Sequence, residues 1–169
     1  MSNRKKQSVS RKNGDLNNLK ALIGNNLLSI FNNQCFINGK PTLEDIDNIE
    51  IKCTNGVLVS IYLLSDGESV GSDFLPLEPD FSFEHENMIF RFARNDLSIS
   101  LKLTHLIGKS IVNVQGIIDT YYNNYELLIG YKIIFDTSDY LVFYNGGDEG
   151  KLILNLLDLP NSTRLVNLP

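Results

Sequence analysis

The sequence predicts a mainly β protein, or an α+β one with few helices. Antiparallel sheets from two related halves would form a sandwich or a strongly curved sheet, with one short N-terminal helix. Three observations carry this. Apolar runs rich in β-branched and aromatic residues recur at intervals of roughly 8–14 residues. Turn residues such as Thr54-Asn55-Gly56, Asn123-Asn124 and Asn145-Gly146-Gly147 separate them. Two distant stretches also repeat one order of features: "LIGNNLLSI" at 22–30 parallels "LIGKSIVNV" at 106–114.

Taken in order, residues 1–14 (MSNRKKQSVSRKNG) lack apolar periodicity and read as a flexible basic arm. Residues 15–169 read as one domain made of two pseudo-repeats, about 16–80 and 97–157. Leu16, Leu19, Leu22 and Ile23 follow helical spacing, with Asp15 as N-cap and Gly24 as stop. Leu27–Phe31 is an apolar strand ending at Asn32-Asn33. Ile49, Ile51 and Cys53 alternate with Glu50 and Lys52, and Val57–Leu64 follows after a turn. Residues 65–80 read as loop. Met88–Ala93 reads as a strand and Arg94-Asn95-Asp96 as a turn. Leu97, Ile99, Leu101 and Leu103 alternate with Ser98, Ser100 and Lys102, the pattern of a half-buried strand. Ile111–Tyr122 pairs with Tyr125–Phe135, and Tyr140–Tyr144 with Leu152–Leu157.

Bulk properties narrow the function. The chain has 169 residues, 43% of them hydrophobic, which suits one domain. Its longest apolar runs fall short of the roughly 18 residues that span a bilayer, so no membrane partner is expected. The basic start lacks the apolar segment of a secretory signal, so a cytoplasmic location is expected. Cys35 and Cys53 stand apart and read as free thiols. The net charge of −5 is uneven. Residues 1–15 carry five bases against Asp15, a local +4, while residues 44–86 carry eleven acids against Lys52 alone, a local −10. The basic arm holds no aromatic residue to stack on a base, which argues against nucleic acid.

Chemical motifs are sparse. Gly146-Gly147-Asp148-Glu149 shares four letters with the GGDEF turn of diguanylate cyclases, but Gly150 follows where that family has Phe, and the flanks read as antiparallel strands. Glu84, His85 and Glu86 are adjacent, so a strand would point them to opposite faces rather than at one metal. There is no G-x-S-x-G elbow and no phosphate-binding glycine motif. No catalytic residue, metal ligand or cofactor is assigned. The candidate partner surface is acidic: Asp66, Glu68, Asp73, Glu78, Asp80, Glu84, Glu86, Asp148 and Glu149. Of the tyrosines at 121, 122, 125, 131, 140 and 144, Tyr121, Tyr122 and Tyr125 are the candidate contact aromatics.

Leu106-Ile107-Gly108-Lys109, Phe135-Asp136, Leu141–Tyr144 and Gly147-Asp148-Glu149 together form a pattern. It resembles the small β-rich immunity proteins that bacteria encode beside secreted toxins. The resemblance covers residues 106–150 well and the first half loosely. Such proteins often place Asp-Gly at the hairpin, where this chain has Asp136-Thr137-Ser138-Asp139. The resemblance implies a non-enzymatic protein that binds a basic toxin domain, such as a nuclease. An acidic surface would speed that encounter. Two other readings stand beside it: a small hydrolase or metal-dependent enzyme using clustered carboxylates, and a structural or ligand-binding β module of a larger assembly.

Overall fold

The computed structural model describes residues 7–42, 45–160 and 162–169. Helix α1 (Val9–Asn18) leads into a 3₁₀ turn, Leu19–Leu22. Strands β1 (Leu27–Ile37), β2 (Lys40–Pro41), β3 (Asn48–Cys53), β4 (Leu58–Leu63), β5 (Val70–Asp73), β6 (Phe81–His85) and β7 (Met88–Asp96) follow. A one-turn helix, α2 (Leu97–Ser100), opens the second half. Strands β8 (Ile111–Tyr121), β9 (Tyr125–Phe135), β10 (Tyr140–Asn145), β11 (Gly150–Leu154) and β12 (Thr163–Asn167) complete it. The protein is mainly β, with two antiparallel sheets packed together. No helix among the described residues is long and apolar enough to cross a membrane.

The first sheet runs β5-β4-β3-β1-β7-β6, with β2 pairing β1; the second runs β11-β10-β9-β8-β12. Register matches between them. Ile51 faces Val59 and Ile49 faces Ile61, as Ile133 faces Leu141 and Tyr131 faces Phe143. Each first long strand carries a register shift near its start, between Leu27 and Ser29 and between Ile111 and Asn113, and β8 carries a second between Ile117 and Ile118. Between the sheets, Ile49, Ile51, Val59 and Ile61 meet Val114, Leu128, Ile133 and Phe143 in one core. β6 is the exception: it has no counterpart at the edge of the second sheet, and all five of its residues are exposed.

In both sheets the chain then crosses its own outer face. Residues 74–80 cross the first: Ser60 Oγ donates to Leu75 O, Glu50 accepts from Leu77 N, and Asn33 Nδ2 donates to Glu78 O. Over the second, Leu156 and Leu159 pack on Ile117, Leu127, Ile129 and Val142.

Several sequence expectations need correction. Leu97–Leu103 is not a strand. Asp96 Oδ1 accepts from Ser98 N and Ser98 Oγ and starts a helical turn instead. Leu97 and Leu103 still enter the core, but Ile99 and Leu101 face water. Residues 9–14 are not part of a free arm. Ser8 caps α1 by accepting from Arg11 N, and Gln7 is buried. Arg4, Lys5 and Lys6 lie outside the described residues. Asp15 is not a cap but a buried mid-helix carboxylate, accepting from Ser72 N and Arg11 Nε at 2.8 Å each. Asn32-Asn33 lies inside β1 rather than ending it, and Arg94–Asp96 is the last part of β7, not a turn. β5 lies within the expected loop 65–80, and β6 and β12 are further strands that the sequence pattern does not show.

Candidate functional site

The nine candidate acids divide into two groups. The first gathers where two turns touch. Asp148 N donates to Gly67 O at 2.9 Å, and Asn145 Nδ2 donates to Ser69 O at 3.3 Å. The turn after β10 forms because Gly147 takes φ +91° and its N–H donates to Asn145 Oδ1 at 3.0 Å. The turn after β4 forms because Asp66 Oδ1 accepts from Glu68 N and Ser69 N, while its Oδ2 accepts from Ser69 Oγ. Asp66 is therefore buried and fixes the turn; it is not an exposed contact as expected. Glu68, Asp148 and Glu149 are exposed there.

Sequence reasoning missed three further acids at this end. Asp45 Oδ1 accepts from Gly150 N at 2.9 Å, and Ile46 N donates to Gly150 O, so the segment after β2 is sewn to β11. Asp47 follows it. Partial burial of its carboxyl, a hydrogen bond with Asp45 and the charges of Asp45 and Asp148 push it up to about 7, although the residue as a whole stays exposed. Asp119 accepts from Ser162 Oγ at 2.7 Å. No spacing in the sequence signals this gathering, because topology alone brings 45–47, 66–68, 119 and 148 together. Glu44 lies outside the described residues.

The candidate tyrosines sit beside these acids with different roles. Tyr121 borders a cavity of about 400 Å³ with Glu68, Asp119, Tyr144 and Lys151. Its hydroxyl is pushed up to about 12 by burial and then by Glu68 and Asp119. Tyr122, at 97% exposure, is free of the core. Tyr125 is held: its hydroxyl donates to Gln7 O at 3.1 Å.

The second group lies on or beside the outer face of the first sheet. Asp73 accepts from Tyr62 Oη at 3.0 Å and from Leu75 N at 2.9 Å. Asp80 Oδ1 accepts from Arg94 N. Glu78, Glu84 and Glu86 are exposed, with His85 3.7 Å from Glu86. Under the crossing chain, burial raises the Glu50 carboxyl, but Arg94, Leu77 N–H and Lys52 outweigh it and hold it below the usual carboxylate range. Arg94 also lies 4.2 Å over the Phe31 ring. A cavity of about 420 Å³ opens beside the crossing chain, walled by Asn33, Tyr62, Leu75, Glu78, Phe81 and Phe92.

Among the described residues, no group of three or more His, Cys, Asp or Glu has the arrangement to hold a metal ion. Asp47 has the proton affinity of an acid–base group, yet it is not a wall of the cavity beside Tyr121. What the turn end offers is fixed negative charge around an exposed aromatic residue.

The fold and site define a two-sheet antiparallel β protein with an acidic, tyrosine-bearing end. Comparison with known proteins gives no match to a family model, a curated protein or a solved structure.

Proposed function

We propose that the protein is a non-enzymatic binding protein, an immunity-type inhibitor that neutralises a cationic secreted toxin in the cytoplasm of the cell that makes it. One observation carries this reading. Glu68 and Asp119 line the cavity that Tyr121 borders, and Asp148, Glu149, Asp45 and Asp47 gather on the adjoining segments, which backbone hydrogen bonds hold together. Fixed carboxylates raise the encounter rate with a basic partner, and an exposed tyrosine supplies area at little entropic cost. The matching registers of the two sheets support a second part of the proposal, that the halves descend from one duplicated unit.

The test uses cationic nuclease toxin domains and the triple variant Glu68→Lys, Asp148→Lys, Glu149→Lys. The wild type should protect cells from one such toxin, with association slowing steeply as salt rises. The variant should associate about tenfold or more slowly, with a flatter salt dependence. Equal association rates for wild type and variant would sink the electrostatic reading.

A further inference from the structure

β6 adds nothing to the core, yet it carries a built surface. Phe81 faces Phe92 and Phe83 faces Phe90 across the β6–β7 hairpin. Their rings stack at 4.8 and 5.1 Å, and Phe83 and Phe92 link the pairs at 6.3 Å. Phe81 and Phe83 remain 41% and 48% exposed, an apolar strip at the very border of the sheet.

The backbone at that border is open. Glu86 and Asn87 both take positive φ, 49° and 61°, giving a two-residue primed turn between His85 and Met88. In such a hairpin the hydrogen-bonded pairs are His85–Met88, Phe83–Phe90 and Phe81–Phe92. Ile89 confirms the phase, since its N–H and C=O turn away from β6 to Asn38 at 2.9 and 2.8 Å. Ser82 and Glu84 therefore point their N–H and C=O outward. Among the described residues nothing pairs with them.

Charge selects the occupant. From residue 74 to 86 the chain carries Glu78, Asp80, Glu84 and Glu86 and no Lys or Arg. A second copy fits badly. A two-fold axis through Phe83 sets Asp80 against Glu86; one through Ser82 sets Asp80 against Glu84; one through Glu84 sets Glu84 against itself. Like charges directly opposite are destabilising.

We infer that β6 takes an added antiparallel strand from a basic protein partner, an extended segment alternating apolar and Lys or Arg side chains. Ser82 and Glu84 supply the main-chain hydrogen bonds, the phenylalanine strip takes the apolar side chains, and Glu84 and Glu86 meet the bases. This surface is separate from the turn end and does not depend on that reading.

The probe is a synthetic peptide alternating lysine and valine, about ten residues long. Three controls accompany it: the same peptide N-methylated at alternate residues, a glutamate–valine peptide, and the full chain alone in sedimentation. Hydrogen exchange at the Ser82 and Glu84 amides should slow about tenfold with the lysine peptide and not with the N-methylated one. Ser82→Pro, which removes an outward N–H and no bond to β7, should abolish the effect. Should that variant misfold, the exposed pair Glu84→Lys, Glu86→Lys should weaken binding at least about fivefold. Equal binding of the N-methylated or acidic peptide would overturn the proposal. So would sedimentation as a dimer that Ser82→Pro dissociates, which would make the occupant a second copy.

Discussion

Gly24 and Gly108 occupy mirrored places on one short bridge between the sheets. Gly24 N donates to Ile111 O at 2.7 Å, and Gly108 N donates to Leu27 O at 2.8 Å. Both take φ +82°, and Asn26 pairs Ser110 between them. A Cβ at either position meets no atom within 4 Å, so substitution there strains only the backbone. Gly24→Ala and Gly108→Ala should each cost about 1–2 kcal/mol. Urea denaturation of both variants checks this; a large difference between the two costs would show that the bridge is not shared evenly.

Asp47 sets a pH dependence. Its folded carboxyl is raised to about 7 and the unfolded one titrates near 4, so the folded state holds the extra proton between these values. The stabilisation is complete below about pH 4 and is lost as pH rises through about 7. Asp47→Asn should flatten this decline, leaving a variant more stable than wild type at pH 8. Thermal melts at pH 4.5 and pH 8 decide it, and parallel melting curves for the two proteins would count against the mechanism.

Glu50 acts with the opposite sign. Its carboxyl is held low, so its contribution is present above the unfolded value and disappears as pH falls through the folded one. Glu50→Gln weakens the pairing with Arg94 and the anchor of Leu77 N together. The expected loss is about 2 kcal/mol, below the full cost of breaking a buried pair because Arg94 is partly exposed. Faster exchange of the Leu77 amide would show the crossing chain lifting from the sheet.

Tyr122 and Asp66 separate binding from folding. Tyr122→Ala removes a side chain that touches no core and should change stability by less than about 0.5 kcal/mol while weakening capture of a cationic toxin. Asp66→Ala removes the acceptor of three hydrogen bonds and should cost about 1–3 kcal/mol, measured by chemical denaturation. A Tyr122→Ala protein with unchanged toxin affinity would remove that residue from the contact surface.

The sequence showed the strands that are buried along continuous apolar runs. β3, β4, β8, β9 and β10 were legible from apolar blocks and the turns between them. Leu97–Leu103 misled because alternation also fits a capped helical turn followed by a bend, and the Asp96 cap that decides the matter is a local bond. β5, β6 and β12 are short edge strands: β5 is buried but built of Val-Gly-Ser-Asp, which reads as a turn, and β6 and β12 are too exposed to leave an apolar pattern. Of the site, Glu68 is legible in the acidic stretch 44–86, and Asp148 and Glu149 in the Gly-Gly-Asp-Glu turn. Asp66 carried a readable signal, since Asp66-Gly67-Glu68-Ser69 is an aspartate-capped turn sequence. Asp45, Asp47 and Asp119 had none, because their meeting depends on strand order.

Gln7 has a consequence for how the chain comes to be folded. Its side chain donates to Val70 O and accepts from Leu128 N, and its carbonyl accepts from Tyr125, so it joins β5 to β9. Its side-chain partners lie 63 and 121 residues further along the chain. The helix seats first on β5, through Asp15 and Ser72, and is tied to the second sheet only when β9 is in place. The final locking of α1 therefore depends on pairing across the two sheets rather than on local helix formation.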